Sequence, residues 1–259
     1  MKKYRTIGIT GFMNPAEIRS AAMSFRMIQS QFLRAENHKE FVFMAGILIS
    51  SKTVRGMSNK HPHSFPPMTA VSKLVSTACE LGALPLIHFH TDMPEEFRTD
   101  IQRINAIAGD GLGGFQFNLT WPSIDNLYWL RCTYPNAYVI LSVGPDLLRE
   151  DPIHIYELLK PYIDGELINS VILDPSIGTG TLLDIKVLSP ILEIVRYQPI
   201  DVVLSGGLCA ETVPSLGVLR SSGIEFGTDA QGKIQKPGGG IDLDACDEYL
   251  MSVFNMLRT

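Results

Sequence analysis

Residues 201–212 read Asp201-Val202-Val203-Leu204-Ser205-Gly206-Gly207-Leu208-Cys209-Ala210-Glu211-Thr212. An apolar run of strand length ends in two glycines, and a helix start follows at about Ala210-Glu211-Thr212. Near-continuous apolar strands such as this one, or Val139-Ile140-Leu141, are what a parallel sheet covered on both faces requires. The same unit recurs along the chain. Strands are expected at Thr6–Thr10, Phe41–Ile49, Leu84–His90, Gly114–Asn118, Tyr138–Val143, Ser170–Asp174, Asp201–Ser205 and Ile224–Gly227. Amphipathic helical patterns lie between them, among them Pro15–Leu33, Met68–Leu81, Pro94–Ala108, Pro152–Ile163, Leu182–Tyr197 and Leu243–Leu257. Pro15, Pro94 and Pro152 each fall near a helix start, where a missing N–H costs nothing.

Eight such units in 259 residues leave about 32 residues for each, enough for one strand, one helix and two short loops. No composition shift or linker divides the chain, so residues 1–259 read as a single (β/α)8 barrel rather than two domains. With 45% hydrophobic and 19% charged residues, the chain can bury a full core. The longest charge-free stretches, Gly111–Ile124 and Cys132–Pro145, fall short of the roughly 20 apolar residues of a spanning helix. The start, Met-Lys-Lys-Tyr-Arg-Thr, has no apolar segment behind its charges, and a cytoplasmic protein is the expectation. A net charge of −5 with no basic stripe argues against a nucleic-acid partner. Cys79, Cys132, Cys209 and Cys246 lie far apart with no C-x-x-C pair, which is neither a zinc site nor a disulfide framework.

A barrel carries its chemistry at the C-terminal ends of its strands. The sixth strand ends in Leu173-Asp174-Pro175-Ser176, followed by Gly178-Thr179-Gly180-Thr181. The seventh ends in Gly206-Gly207 and the eighth in Phe226-Gly227-Thr228-Asp229. Glycines there let backbone N–H groups approach an anion, and a following helix N-terminus adds partial positive charge. Gly178, Thr179, Gly180, Gly206, Gly207, Gly227 and Thr228 are therefore the expected phosphate cradle. Two irregular segments, Asn59–Pro67 and Gly232–Gly240, follow strands on the same face.

Several motifs, in order, resemble phosphoribosylanthranilate isomerase of tryptophan biosynthesis. Ile9-Thr10-Gly11-Phe12-Met13-Asn14-Pro15-Ala16-Glu17 is similar to that family's I-C-G-I-T-x-P-E-D, and Lys52-Thr53-Val54-Arg55-Gly56-Met57-Ser58 to K-S-P-R-x-V-S. His88-Phe89-His90-Thr91-Asp92-Met93-Pro94-Glu95-Glu96 stands where the family has V-F-V-N-x-x-P-E-E, and Gln116-Phe117-Asn118 where it has Q-L-H. Leu173-Asp174 with Gly178-Thr179-Gly180, Leu204-Ser205-Gly206-Gly207-Leu208 with Glu211-Thr212-Val213, and Pro237-Gly238 before Asp242 complete the series. The resemblance implies an isomerase that converts an aminoaldose sugar phosphate to an aminoketose. It implies Asp174 as general acid, Arg55 as clamp on a substrate carboxylate, and Lys52, Gln116 and Asn118 as further substrate-binding residues. The expected ligand is a small phosphorylated metabolite, with no cofactor, no metal, no nucleic acid and no membrane, and a homodimer is compatible.

Two departures bear on the chemistry. The family's base is a Cys at the end of strand one, and Thr10 stands there. A hydroxyl does not act unaided as a base near pH 7, so the base is expected from His88, from His90, or from a water held by Thr10. The family's S-S-G-V-E of strand eight is Gly227-Thr228-Asp229-Ala230-Gln231, which sets Asp229 beside the phosphate, where like charges repel. His88 and His90 share one strand face. An acid–base role, a metal pair completed by Asp174 or Asp92 in a lyase or hydrolase, and a hydrogen-bonded structural pair all fit that spacing. A barrel that keeps the fold and serves only to bind a phosphorylated ligand or a partner also remains open.

Overall fold

The computed structural model describes residues 5–32, 41–59, 62–118, 120–176 and 183–258. Eight parallel strands close on themselves in sequence order: β1 (Arg5–Thr10), β2 (Phe41–Ser50), β3 (Leu84–His90), β4 (Gly114–Asn118), β5 (Tyr138–Val143), β6 (Ser170–Leu173), β7 (Asp201–Ser205) and β8 (Gly227–Ala230). Between them lie α1 (Pro15–Phe32), α2 (Met68–Glu80), α3 (Phe97–Ala108), α4 (Ile124–Thr133), α5 (Pro152–Asp164), α6 (Ile185–Val195) and the short α7 (Gly217–Ser221), and α8 (Leu243–Arg258) follows β8. This is a single (β/α)8 barrel. None of its helices among the described residues is long and apolar enough to cross a membrane.

The helices form for readable reasons. In α1, Ile18, Ala21, Ala22, Phe25 and Ile28 make one buried stripe at helical spacing. Asp151 caps α5 by accepting from Ile153 N at 2.7 Å, with Pro152 in the first turn. The segment from Pro94 opens as a 3-10 turn, Pro94–Glu96, before α3 begins. Trp121 donates its Nε1–H to Ser142 O at 2.7 Å and meets Tyr162 edge-on, while Trp129 packs against Phe97 and Tyr134. Both tryptophans are packing residues in this arrangement.

Strand faces alternate. Outward residues such as Ile7, Ile9, Phe43, Ala45, Phe89 and Val139 join the helices in one large core. Inward residues Met44, Leu86, Tyr138, Ile140, Ile172 and Val203 form a separate apolar plug on the barrel axis. Two residues further along the same inward faces stand Gly46, His88, Ser142, Asp174 and Ser205. The plug thus gives way to polar side chains at the C-terminal ends, and the period of two alone sets that boundary.

Strand eight corrects the sequence expectation. It begins at Gly227 rather than ending there, so Gly227 and Thr228 lie inside the strand and not in the loop beyond it. Ile224 and Phe226 are buried but lead into the strand. Gly-Thr-Asp-Ala has little intrinsic strand preference, and its pairing with β7 (Val203↔Gly227) and β1 (Ile7↔Thr228) imposes the conformation. Gly227 is required by proximity: a Cβ there would stand 2.4 Å from Thr6 O. Thr228 faces outward and receives the Tyr249 hydroxyl at 2.7 Å from α8.

Candidate active site

The mouth of the barrel is built from strand ends. Thr10 closes β1 with its hydroxyl 2.9 and 3.1 Å from the two carboxyl oxygens of Asp229 on β8 and 3.3 Å from His88 Nδ1 on β3. All three side chains are buried. Gly46 on β2 makes room for them, since a Cβ there would lie 2.2 Å from Thr10 Oγ1 and 2.9 Å from His88 Nε2. Burial pushes the Asp229 carboxyl up to about 8, with the Thr10 hydrogen bond opposing and the nearby Asp174 charge adding to the rise. Burial, helped by His90, lowers His88 to about 3. At neutral pH the cluster is a protonated carboxyl, a hydroxyl and a neutral imidazole. Asp229 faces inward along β8, with both carboxyl oxygens on the Thr10 hydroxyl.

A second chain of hydrogen bonds reaches the mouth. Gln116 Nε2 donates to Asn118 Oδ1 at 3.0 Å, and Asn118 Nδ2 stands 3.0 Å from His90 Nε2. His90 is half-buried, and burial lowers it to about 4. With the Asn118 amide donating to Nε2, neutral His90 carries its proton on Nδ1. Phe65, in the loop after β2, meets the imidazole edge-on at 6.0 Å between ring centroids. Phe65 thus reaches over β3, and a Cβ on Gly239 in the loop after β8 would touch His63 O at 2.3 Å.

Asp174 follows β6 and is half-buried. Its Oδ1 accepts from Ser176 N at 2.9 Å and Ser176 Oγ at 2.8 Å, which fixes the carboxyl plane. Gly178, Thr179 and Gly180 lie outside the described residues. At the end of β7, Gly206 and Gly207 have φ of 110° and 59°, values in the left-handed region that favours glycine. Thr212 clasps this turn, donating to Gly207 O at 2.9 Å and accepting from Cys209 N at 2.9 Å. Consecutive residues turned this way can aim backbone N–H groups at an anion. The loop after β8 starts at Gln231 with the 3-10 turn Gly232–Ile234, so Gly227 and Thr228 lie in the strand before it. Glu211 is held below the usual carboxylate range by a Cys209 hydrogen bond first, then by its own backbone N–H, with Lys233 adding a Coulombic pull.

Arg55 and Lys52 are engaged within the protein. Arg55 Nη2 lies 3.2 Å from both oxygens of Asp100 on α3 and 3.5 Å from Glu96. Lys52 pairs with Asp92 at 3.4 Å. As for a metal, His88 and His90 spend ring nitrogens on Thr10 and Asn118, and no group of three metal-ligating side chains occurs among the described residues. Sequence reading placed Thr10, His88, His90, Gln116, Asn118 and Asp174 at strand ends facing the mouth; the structure sets half-buried His90 and Asp174 there and buries Thr10, His88, Gln116 and Asn118, the last of them bonded to His90. It missed the Thr10–Asp229 pair, Lys233 and the partners of Arg55. The alternation of β8 would have found Asp229 had the strand been set three residues later.

Neither a protein-family model nor a curated protein sequence matches the chain. Solved structures do. The N-(5'-phosphoribosyl)anthranilate isomerase of Pyrococcus furiosus is 16% identical, with a TM-score of 0.62 over 98% of this chain and 100% of that one. A phosphoribosylanthranilate isomerase in complex with reduced 1-(o-carboxyphenylamino)-1-deoxyribulose 5-phosphate is 18% identical, with a TM-score of 0.59 over 96% and 98%. The tryptophan synthase of Mycobacterium tuberculosis is also similar, at 12% identity and a TM-score of 0.58 over 99% and 93%. Barrels named for different reactions superpose almost equally well, so the likeness speaks to fold and the reaction has to be argued from the site. The chain has the fold of the phosphoribosylanthranilate isomerases.

Proposed function

We propose that the protein is an aldose–ketose isomerase of the Amadori type, acting on a small sugar phosphate at the C-terminal mouth of the barrel. One observation carries this reading: two proton-handling groups in different settings line the mouth, Asp174 fixed by Ser176 and His90 held neutral under Asn118. Shifting a carbonyl along a sugar needs one group to take a carbon-bound proton and another to polarise an oxygen. His90, with its proton on Nδ1, donates a hydrogen bond to the substrate oxygen. The ring C1–O bond breaks as the ring oxygen takes a proton from solvent, which leaves an iminium at C1. Asp174 takes the proton from C2 and delivers it to C1, and the C2 hydroxyl proton goes to solvent, leaving the carbonyl at C2 and both groups as they began. This exchanges the roles that the sequence resemblance implies. Thr10 and His88 are walled off from the mouth by burial, so they hold the floor of the site with Asp229 rather than touching the substrate. The phosphate lies against the Gly206–Gly207 turn, with Lys233 of the β8 loop as the nearby cation, close enough to act on Glu211 of the β7 loop.

The test is conversion of phosphoribosylanthranilate and of its decarboxylated aniline counterpart to the ketose by the purified chain. Wild type turns over at least one of them, and Asp174→Asn lowers kcat by about 100-fold or more. The reading fails when neither compound is turned over by folded wild type. The burial of Thr10 where the family carries its thiol favours a second reading, a barrel that binds such a ligand without converting it. Binding of the reduced product analogue with no turnover of either compound selects that reading.

A further inference from the structure

The rim beyond β2 and β3 carries a cluster of charges whose balance is unfavourable to a carboxylate. Arg55 follows the helical turn Ser51–Val54 at the end of β2, and its side chain is 19% exposed. Its Nη2 is shared between both oxygens of Asp100, which is 1% exposed, and Glu96. One guanidinium therefore faces two carboxylates, and the neighbouring Lys52–Asp92 pair adds no net charge. Further along the mouth, His90 and the Asn118 amide bonded to it offer neutral hydrogen-bonding groups, with Gln116 behind them.

The geometry points to a substrate that is charged at one end only: a sugar phosphate whose far end, on the β2–β4 side, is uncharged. This rests on the isomerase reading above. Arg55 then acts as a specificity-determining residue through its partners. An incoming carboxylate meets a cluster already one negative charge in excess, whereas a neutral ring or polyol end meets the imidazole of His90, the Phe65 edge and the amides without that repulsion.

Calorimetric titration of the full chain with two probes that differ in one group tests it. One is reduced 1-(o-carboxyphenylamino)-1-deoxyribulose 5-phosphate, and the other is the same compound lacking the carboxyl. Wild type binds the decarboxylated probe about tenfold tighter or more. In Asp100→Asn/Glu96→Gln, which frees Arg55 and keeps the shape of both side chains, that preference disappears or reverses. Tighter binding of the carboxylated probe by wild type overturns the inference and leaves the isomerase reading standing. A folded double variant with an unchanged preference also overturns it. Binding of neither probe by wild type removes the isomerase reading, and the inference with it.

Discussion

Gly46→Ala tests the arrangement at the floor of the site with one methyl group. Gly46 lies in regular strand pairing with Thr10 and Leu86, so alanine meets no backbone strain there. On backbone entropy alone the change would stabilise by about 0.4–1 kcal/mol. The new Cβ, however, would stand 2.2 Å from Thr10 Oγ1, 2.9 Å from Thr10 Cβ and 2.9 Å from His88 Nε2. None of these atoms is the end of a long flexible chain, so relief requires turning Thr10 away from Asp229 or displacing the imidazole. Overpacking of this kind costs about 1–3 kcal/mol. Leaving a buried Thr10 or Asp229 oxygen without its partner costs about 1–3 more. The net expectation is a loss of about 2–4 kcal/mol. Urea unfolding followed by the fluorescence of Trp121 and Trp129 measures it. With an m-value of about 3 kcal/mol/M, the midpoint falls by about 1 M at unchanged slope. A variant as stable as wild type would mean that Thr10 and His88 do not lean across β2 as described, and the Thr10–Asp229–His88 cluster would have to be abandoned.

Other consequences can be measured alongside. The folded Asp229 value, about 8, lies above the ordinary 3.8; its contribution to stability is full below the ordinary value and is lost as pH rises toward 8. Asp229→Asn does not ionise, so it gains on wild type by about 1.4 kcal/mol per pH unit between pH 4 and 8, and parallel stability curves would contradict this. His88 runs the other way, from 6.5 down to about 3, so its contribution is present above 6.5 and lost as pH falls toward 3; His88→Gln flattens acid unfolding in that window. Tyr249→Phe leaves Thr228 Oγ1 buried without the 2.7 Å hydrogen bond it accepts and costs about 1–3 kcal/mol in the same urea assay. Thr10→Cys gives no gain in turnover, because position 10 is shut off from the mouth; a tenfold increase in kcat would show that it touches substrate.

Seven of the strands were legible because each carries apolar residues either in a run, as in Val139-Ile140-Leu141, or at alternate positions, as in Ile7 with Ile9 and Phe115 with Phe117. β8 was displaced because its signal lies in the wrong place. Ile224 and Phe226 are apolar and buried but outside the ladder, whereas Gly227-Thr228-Asp229-Ala230 is a strand only because two neighbours hold it. The same distinction runs through the site. His88 with His90, and Gln116 with Asn118, lie two apart on one strand, so alternation alone faces them together. Thr10 and Asp229 are 219 residues apart, and nothing local in either segment specifies their pairing. Arg55 reads in sequence as an open cation, since the carboxylates that claim it come from another unit of the barrel.

The ladder between β8 and β1 is three residue pairs long, Ile7↔Thr228, Gly8↔Asp229 and Ile9↔Ala230, and the Thr10–Asp229 hydrogen bond crosses it. During synthesis β1 emerges before the other strands and β8 after them. A nascent chain stopped short of Gly227 therefore holds Asp174, His88 and His90 but not Asp229, and its sheet has two unpaired edges open to other chains. Shutting the barrel and completing the floor of its mouth are one step in folding. No chain that stops before β8 can possess the finished site, and the interval before that last strand docks leaves both sheet edges exposed to aggregation.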